Sequence, residues 1–158
     1  MTGKKQNMKP IEILNALKVN RPKLGKETGV GLYRLFRLVA MEDILGNGAS
    51  AISYYAGKKL GLELGLKSID EFLALCDDLK IGIIKIPEMR DDFIHVDVYE
   101  CVTCDGMDVV GRTLCSFEGG LIAGSIESIT GKKTTAKEVT CIGGFGDETC
   151  GFDLTLKD

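Results

Sequence analysis

Six cysteines stand in the 158 residues, and five of them, Cys101, Cys104, Cys115, Cys141 and Cys150, crowd into the last third while Cys76 stands alone. Thiolates are soft ligands that favour zinc, and a tetrahedral site wants three or four Cys, His or carboxylate groups converging from separate elements. Cys115 falls in a helical pattern, Cys141 at the end of a strand-like run, and Cys150 at the start of the next such run. A hairpin would bring the last two together, and Glu138 is the nearest carboxylate. Because side chains alternate along a strand, Glu138 and Cys141 share a face only if the strand bulges or ends near Thr140. The pair Cys101-x-x-Cys104 has three readings: a second metal half-site, a redox pair lacking a thioredoxin-like βαβ context, or packing.

Other chemistry has less to build on. His95 is the only histidine. It sits mid-strand beside Asp97, so Ser-His or Cys-His catalysis has few possible constructions and a hydrogen-bonded strand residue is the better reading. The run Gly143-Gly144-Phe145-Gly146 is followed by no Lys-Ser or Lys-Thr, and no helix is expected to begin there, which excludes a phosphate loop. No residue is assigned a catalytic role.

Composition sets the context for these residues. The chain is 44% hydrophobic and 27% charged, the profile of one globular domain. Lys and Arg total 20 against 23 Asp and Glu, so there is no basic surplus to neutralise nucleic acid. No stretch approaches the roughly 18 apolar residues of a membrane span, and Met1 to Pro10 lacks the apolar core of a signal peptide. A cytoplasmic protein is expected, and in that reducing compartment the thiols are poor disulfide candidates.

The elements that must position the thiols follow from periodicity. Residues 1–9 read as a polar tail, and Pro10 to Val19 as a short helix. After Gly29-Val30-Gly31, Leu32, Leu35, Phe36 and Val39 recur at helical spacing and predict a core-facing stripe. Asn47 is expected to cap a helix reaching Gly65, in which Gly57, Gly61 and Gly65 line one side and invite close backbone packing. Ser68 and Glu71 form a capping box ahead of Ile69, Phe72, Leu75, Cys76 and Leu79, which makes Cys76 a core residue. Ile81 to Ile86 and Phe93 to Tyr99 predict a hairpin around a turn at Pro87 to Asp92. A helix is expected from about Arg112 to Ile129, then strands at Thr134 to Thr140 and Thr149 to Leu156 joined by a glycine-rich link. The last strand turns Cys150, Phe152, Leu154 and Leu156 inward. This order predicts an α+β fold, an antiparallel sheet packed with helices in a single domain spanning residues 25–158, preceded by a tail and short helix at 1–24.

Three runs carry a family resemblance: Cys115-Ser116-Phe117-Glu118-Gly119-Gly120-Leu121-Ile122-Ala123-Gly124, then Glu138-Val139-Thr140-Cys141, then Gly146-Asp147-Glu148-Thr149-Cys150-Gly151-Phe152. Together they resemble the vinyl-4-reductase-like (4VR) domain. The resemblance implies a small-molecule-binding fold like those of aromatic-sensing domains of sigma-54-dependent activators and Golgi transport-complex subunits, commonly as a homodimer. It also implies zinc held by Cys115, Glu138, Cys141 and Cys150, the set the spacing had already suggested. The glycine-rich loop departs from the family pattern by one residue.

The expected function is therefore a zinc-containing module that senses or carries a hydrophobic, aromatic or tetrapyrrole-like small molecule. Leu35, Val39, Tyr54, Tyr55, Phe72 and Phe117 are the candidate pocket residues. The alternatives are a reductase acting on a vinyl tetrapyrrole, for which no dinucleotide fingerprint is present, and a protein-interaction scaffold.

Overall fold

A computed structural model describes residues 10–158, and the tail expected at residues 1–9 lies outside the described residues. The expected α+β architecture is present: four strands in the order β1-β2-β4-β3, every neighbouring pair antiparallel, packed with helices. The strands are β1 (Ile83–Met89), β2 (Phe93–Tyr99), β3 (Lys133–Thr140) and β4 (Cys150–Lys157). The helices are α1 (Ile13–Ala16), α2 (Val30–Arg34), α3 (Met41–Leu45), α4 (Ala49–Glu63), α5 (Ile69–Asp78), α6 (Ser116–Thr130) and α7 (Ile142–Phe145). A π-helical turn, Leu35–Ala40, joins α2 to α3, and a 3-10 turn, Gly46–Gly48, leads into α4.

Sheet alternation builds the core. Ile94, Val96 and Val98 of β2 and Cys150, Phe152, Leu154 and Leu156 of β4 are buried on one face, in a core shared with Phe72 and Cys76 of α5 and Ile122 and Ile126 of α6. Nine consecutive residues of α6, Glu118 to Ile126, are buried. The capping box at α5 forms as expected, with Ser68 Oγ accepting the Glu71 N–H at 3.2 Å and Glu71 Oε2 accepting the Lys67 N–H at 2.8 Å. Cys76 is core, and burial pushes its thiol up to about 12.

Helix α4 crosses α6 with almost no side chain between them. A Cβ at Gly57 or Gly61 would overlap the Phe117 or Leu121 carbonyl, and a Cβ at Gly120 or Gly124 would overlap the Tyr54 or Lys58 carbonyl. The glycines are thus reciprocal, two from each helix, and the close approach offsets their cost of about 1 kcal/mol each in a helix interior. Gly65 is not part of this seam: its φ of +63° places it just beyond the helix, facing open space.

Several boundaries differ from the sequence expectation. The first helix shrinks to the single turn α1, in which no residue is buried, so that among the described residues it has no packed face to stabilise a longer helix. Asn47 does not cap α4; Gly48 holds that position with no side-chain cap. Strand β1 continues through Pro87 to Met89, which an edge strand tolerates, and its register slips between Lys85 and Glu88 around that proline. The glycine-rich link is not an open loop but carries the one-turn helix α7.

The largest correction concerns the stripe Leu32, Leu35, Phe36 and Val39. These side chains are 59–65% exposed, and Tyr33, Arg34 and Arg37 of the same segment point inward instead. The surface that receives this segment consists of backbone carbonyls and the Glu118 carboxylate, which bind cations and donors rather than methyl groups. Arg34 donates to the Val102 and Asp105 carbonyls at 2.8 Å each. Arg37 donates to Thr103 Oγ1 at 2.8 Å and to the Leu114 carbonyl at 3.0 Å. Its guanidinium also lies 3.2 Å from Glu118 Oε2, off the line of any N–H, so that contact is an ion pair without a hydrogen bond. Tyr33 and Thr103 donate to Glu118 Oε1 at 2.8 and 2.5 Å.

Candidate metal centre

Five cysteines and one glutamate converge at the N-terminal end of α6. Cys115 caps that helix, Cys150 opens β4, Cys141 precedes α7, and Cys101 and Cys104 lie on the turn after β2. All five thiols are at most 1% exposed. The sulfurs of Cys101 and Cys104 each lie 3.5 Å from that of Cys115, Cys104 is 3.3 Å from Cys150, and Cys115 is 3.5 Å from Cys150.

The sheet register delivers Glu138 to this cluster. Glu138 pairs with Phe152 on the core face of β3, and the register then shifts so that Thr140 pairs with Gly151. With this bulge, and with β3 ending at Thr140, Glu138 and Cys141 reach the same side despite their odd spacing. Glu138 Oε2 accepts the Cys115 N–H at 3.0 Å, while its buried Oε1 has no hydrogen-bond partner. Cys115, Glu138, Cys141 and Cys150 offer donor atoms all within 4.8 Å of one another. Cys101 and Cys104 form an equally close set with Cys115 and Cys150.

The thiol and carboxyl chemistry fits a metal. A tetrahedral zinc–thiolate site with Zn–S bonds near 2.3 Å has sulfur–sulfur edges of about 3.8 Å, close to the spacing here. Hydrogen bonds from Cys104, Cys115 and Cys150 outweigh burial and hold Cys101 far below an ordinary thiol. At Cys104 the Cys101 contact acts upward, but hydrogen bonds from Cys115, Cys141 and Cys150 bring it to about 4. Cys141 falls to about 6, because hydrogen bonds from Cys115 and Cys150 outweigh the opposing Cys104 contact. Cys115 and Cys150 are shifted upward, chiefly by hydrogen bonds with Cys101 and Cys104. Burial first, then the Cys141 thiol, pushes Glu138 up to about 9. A buried carboxyl oxygen without a hydrogen-bond partner beside clustered thiols is a donor set of the kind that can hold a metal ion.

Glycine makes the convergence possible. A Cβ at Gly143 would strike Cys104, and one at Gly144 would strike the Cys141 sulfur and the Arg112 carbonyl. The backbone of α7 therefore lies directly against the turn carrying Cys104, and the Val110 and Gly111 N–H groups donate to the Gly143 and Gly144 carbonyls at 3.0 and 2.8 Å. The family-atypical length of this loop resolves as the helical turn α7.

A groove opens beside the cluster, bounded by α4, the start of α6, β3 and β4. It is open to solvent, has a volume of about 710 Å³, and is lined by Tyr54, Tyr55, Gly119, Ala136, Phe152 and Glu138 together with polar side chains such as Asn47 and Lys137. Tyr54 Oη accepts the Ala136 N–H at 2.9 Å, which ties the groove wall to the sheet. Of the candidate pocket residues, Tyr54 and Tyr55 line this groove. Phe72 is fully buried in the core, and Leu35 and Val39 face outward. Phe117 is half-buried, its ring 5.7 Å from the Arg37 guanidinium. Ala136, Gly119 and Phe152 were not singled out from the sequence, although the inward alternation of β4 had already marked Phe152 as buried.

His95 lies on the opposite face of the sheet, its Nδ1 2.7 Å from Asp153 and its Nε2 3.3 Å from Asp97. It is the hydrogen-bonded strand residue the sequence suggested. Among the described residues no helix is long and apolar enough to cross a membrane.

A family model described as a protein of unknown function, DUF2507, matches residues 31–141. The chain belongs to this family. The uncharacterized protein MJ1642 of Methanocaldococcus jannaschii is 32% identical over 135 residues, 85% of this chain and 82% of the relative. A second protein of that organism, the uncharacterized MJ0150, is 34% identical over 141 residues, 85% of this chain and 80% of the relative. The fold is shared with a crystal structure of a vinyl-4-reductase family protein from Methanocaldococcus jannaschii, at a TM-score of 0.68 and 22% identity over 86% of each chain. It is shared also with the phenol-responsive sensory domain of the transcription activator PoxR, solved with phenol, at a TM-score of 0.68 and 16% identity, covering 82% of this chain and 75% of that one. These findings fit the vinyl-4-reductase-like resemblance drawn from the cysteine and glycine motifs.

Proposed function

We propose that the protein is a metal-stabilised binding module for an apolar or aromatic small molecule, used to sense or carry that molecule. The observation that carries this reading is the groove. Its volume of about 710 Å³ lies within the roughly 300–1,000 Å³ of typical ligand sites, with aromatic walls at Tyr54, Tyr55 and Phe152 and a polar rim from Asn47, Ser50, Thr113, Ser116, Lys137 and Glu138. The fold shared with a phenol-responsive sensory domain supports it.

In this reading zinc is held by Cys115, Glu138, Cys141 and Cys150. The ion supplies cross-linking rather than reactivity, since four protein ligands complete a tetrahedral shell. Cys115 anchors the start of α6, Glu138 joins β3 to it, and Cys141 and Cys150 close the α7 turn. Glu138 also lines the groove, so the wall of the binding site is tied to the metal-held hairpin. The chain pairs with a second copy of itself; the outward apolar stripe Leu32, Leu35, Phe36 and Val39 supports that part of the reading.

The test is calorimetric titration and thermal shift with phenol in one arm and a long-chain fatty acid in the other. Saturable binding, with affinity lowered about tenfold or more by Tyr54→Ala and unchanged by Phe72→Leu, is expected. No saturable binding of either probe would overturn the assignment. Sedimentation of wild type beside Phe36→Glu checks the pairing, with a dimer expected to become a monomer.

A further inference from the structure

The metal reading above uses four of six clustered donors and leaves Cys101 and Cys104 without a role. The described structure gives two complete four-donor sets: Cys101, Cys104, Cys115 and Cys150, and Cys115, Glu138, Cys141 and Cys150. They have Cys115 and Cys150 in common, and those two sulfurs are 3.5 Å apart. Two tetrahedra that share an edge have this donor pattern, with two thiolates bridging and two donors terminal on each ion. We infer that the chain holds two metal ions side by side, Cys101 and Cys104 terminal on one, Glu138 and Cys141 terminal on the other, and Cys115 and Cys150 bridging both.

Three further features carry this. First, the Cys101–Cys104 turn is built to point at the cluster. The Cys104 and Asp105 N–H groups fold back onto the Cys101 carbonyl at 3.2 and 3.0 Å, and Arg34 grips the Val102 and Asp105 carbonyls from outside. Gly143 removes the side chain that would otherwise strike Cys104 and hold this turn away. Secondly, charge is balanced. Six anionic donors around two divalent ions leave a net charge of about minus two, the same as four donors around one ion, so the second ion adds two ligands without adding buried charge. The buried Arg37 guanidinium lies near enough to feel both Cys101 and Cys115. Thirdly, sulfurs 3.3–3.5 Å apart are in contact and leave no room for the inorganic sulfide of an iron–sulfur cluster between them. Ions bound directly by the protein's own sulfurs fit this spacing.

The inference rests on the metal reading for Glu138 and Cys141 and extends it. The full chain, purified under reducing conditions and loaded with zinc, is weighed by native mass spectrometry beside elemental analysis. The same protein is then exchanged into cadmium-113 for NMR. Two ions per chain and two cadmium resonances split by mutual coupling through shared thiolates are expected. Cys101→Ser with Cys104→Ser, and separately Glu138→Gln with Cys141→Ser, should each bring the content from two ions to one. If either variant fails to fold, the wild-type stoichiometry and coupling still decide. One ion per chain, kept when Cys101 and Cys104 are replaced, would overturn the two-ion centre while leaving the single site standing. Two uncoupled resonances would overturn the shared-thiolate arrangement. No ion bound to the folded, reduced protein would overturn both readings.

Discussion

The two ends of this chain face the same solvent with opposite logic. From α6 onward, apolar side chains and thiols turn inward: Glu118 to Ile126 are continuously buried, and Phe152 and Leu154 are fully enclosed. In the segment from α2 to α3, Leu32, Leu35, Phe36 and Val39 face outward, Leu38 alone of that run packs on the core, and a single buried residue, Arg37, anchors the segment through charge and hydrogen bonds. One end is held by area removed from water and by ligand chemistry, the other by a few directional contacts to carbonyls and a carboxylate. A hydrophobic stripe at helical spacing therefore identifies a face but not what covers it.

Metal removal should separate the thiol-held hairpin from the rest of the fold most sharply. Structural zinc in small domains contributes on the order of 10 kcal/mol of folding free energy, so stripping the ion under reducing conditions should lower the melting temperature of the whole chain by more than 10 °C. Hydrogen exchange should then show amides of α7 and β4 losing protection before those of the α4–α6 seam. Uniform loss of protection would break the distinction.

Side-chain truncation gives the next largest contrast. Phe152→Ala is expected to cost about 3–5 kcal/mol in urea unfolding. Phe36→Ala, in a monomeric background, should stay within about 0.5 kcal/mol although it removes the same ring. Equal costs would mean that Phe36 is covered within the single chain.

The polar anchor is tested by Arg37→Met, which leaves Glu118 buried beside Thr103 without its cation. A loss of about 3–5 kcal/mol is expected, with much of it recovered when Glu118→Gln is added. Failure of the second change to recover stability would assign the anchor to the Arg37 bonds with Thr103 and Leu114 instead.

Two pH effects are smaller. In metal-free protein Glu138 binds its proton more tightly folded than unfolded, so it stabilises the fold below its ordinary pKa of 4.5 and loses that contribution as pH rises toward about 9. Relative to Glu138→Gln, metal-free wild type should weaken over that window, as read from urea midpoints. His95 is raised by Asp153 and Asp97 against the effect of burial. Its contribution is present below pH 6.5 and lost as pH climbs through the raised value, and its removal by His95→Gln at pH 6 should cost less than about 1 kcal/mol.

Much of this was legible in the residues themselves. Strand alternation placed Ile94, Val96, Val98, Cys150 and Phe152 on the inner face, because a period of two has only one way to bury such a set. Ligand types and the odd spacing of Glu138 and Cys141 demanded a bulge or a strand end, and the register shift before Thr140 supplies it. The Ser68 and Glu71 cap and the closely packed Gly57 and Gly61 were equally local signals.

What needed three dimensions was everything set by a partner surface distant in sequence. The outward turn of Leu35 and Phe36 follows from Glu118 and the carbonyls of residues 101–105, some 65 to 85 positions away. The place of Cys101 and Cys104 beside Cys115 and Cys150 depends on how the turn after β2 meets α7 at Gly143. Residue type and period determine which atoms seek burial or a ligand, because those preferences are local to each side chain. Which of several suitable neighbours each side chain meets is decided by chain topology, because the contact energy exists only once both surfaces are in place.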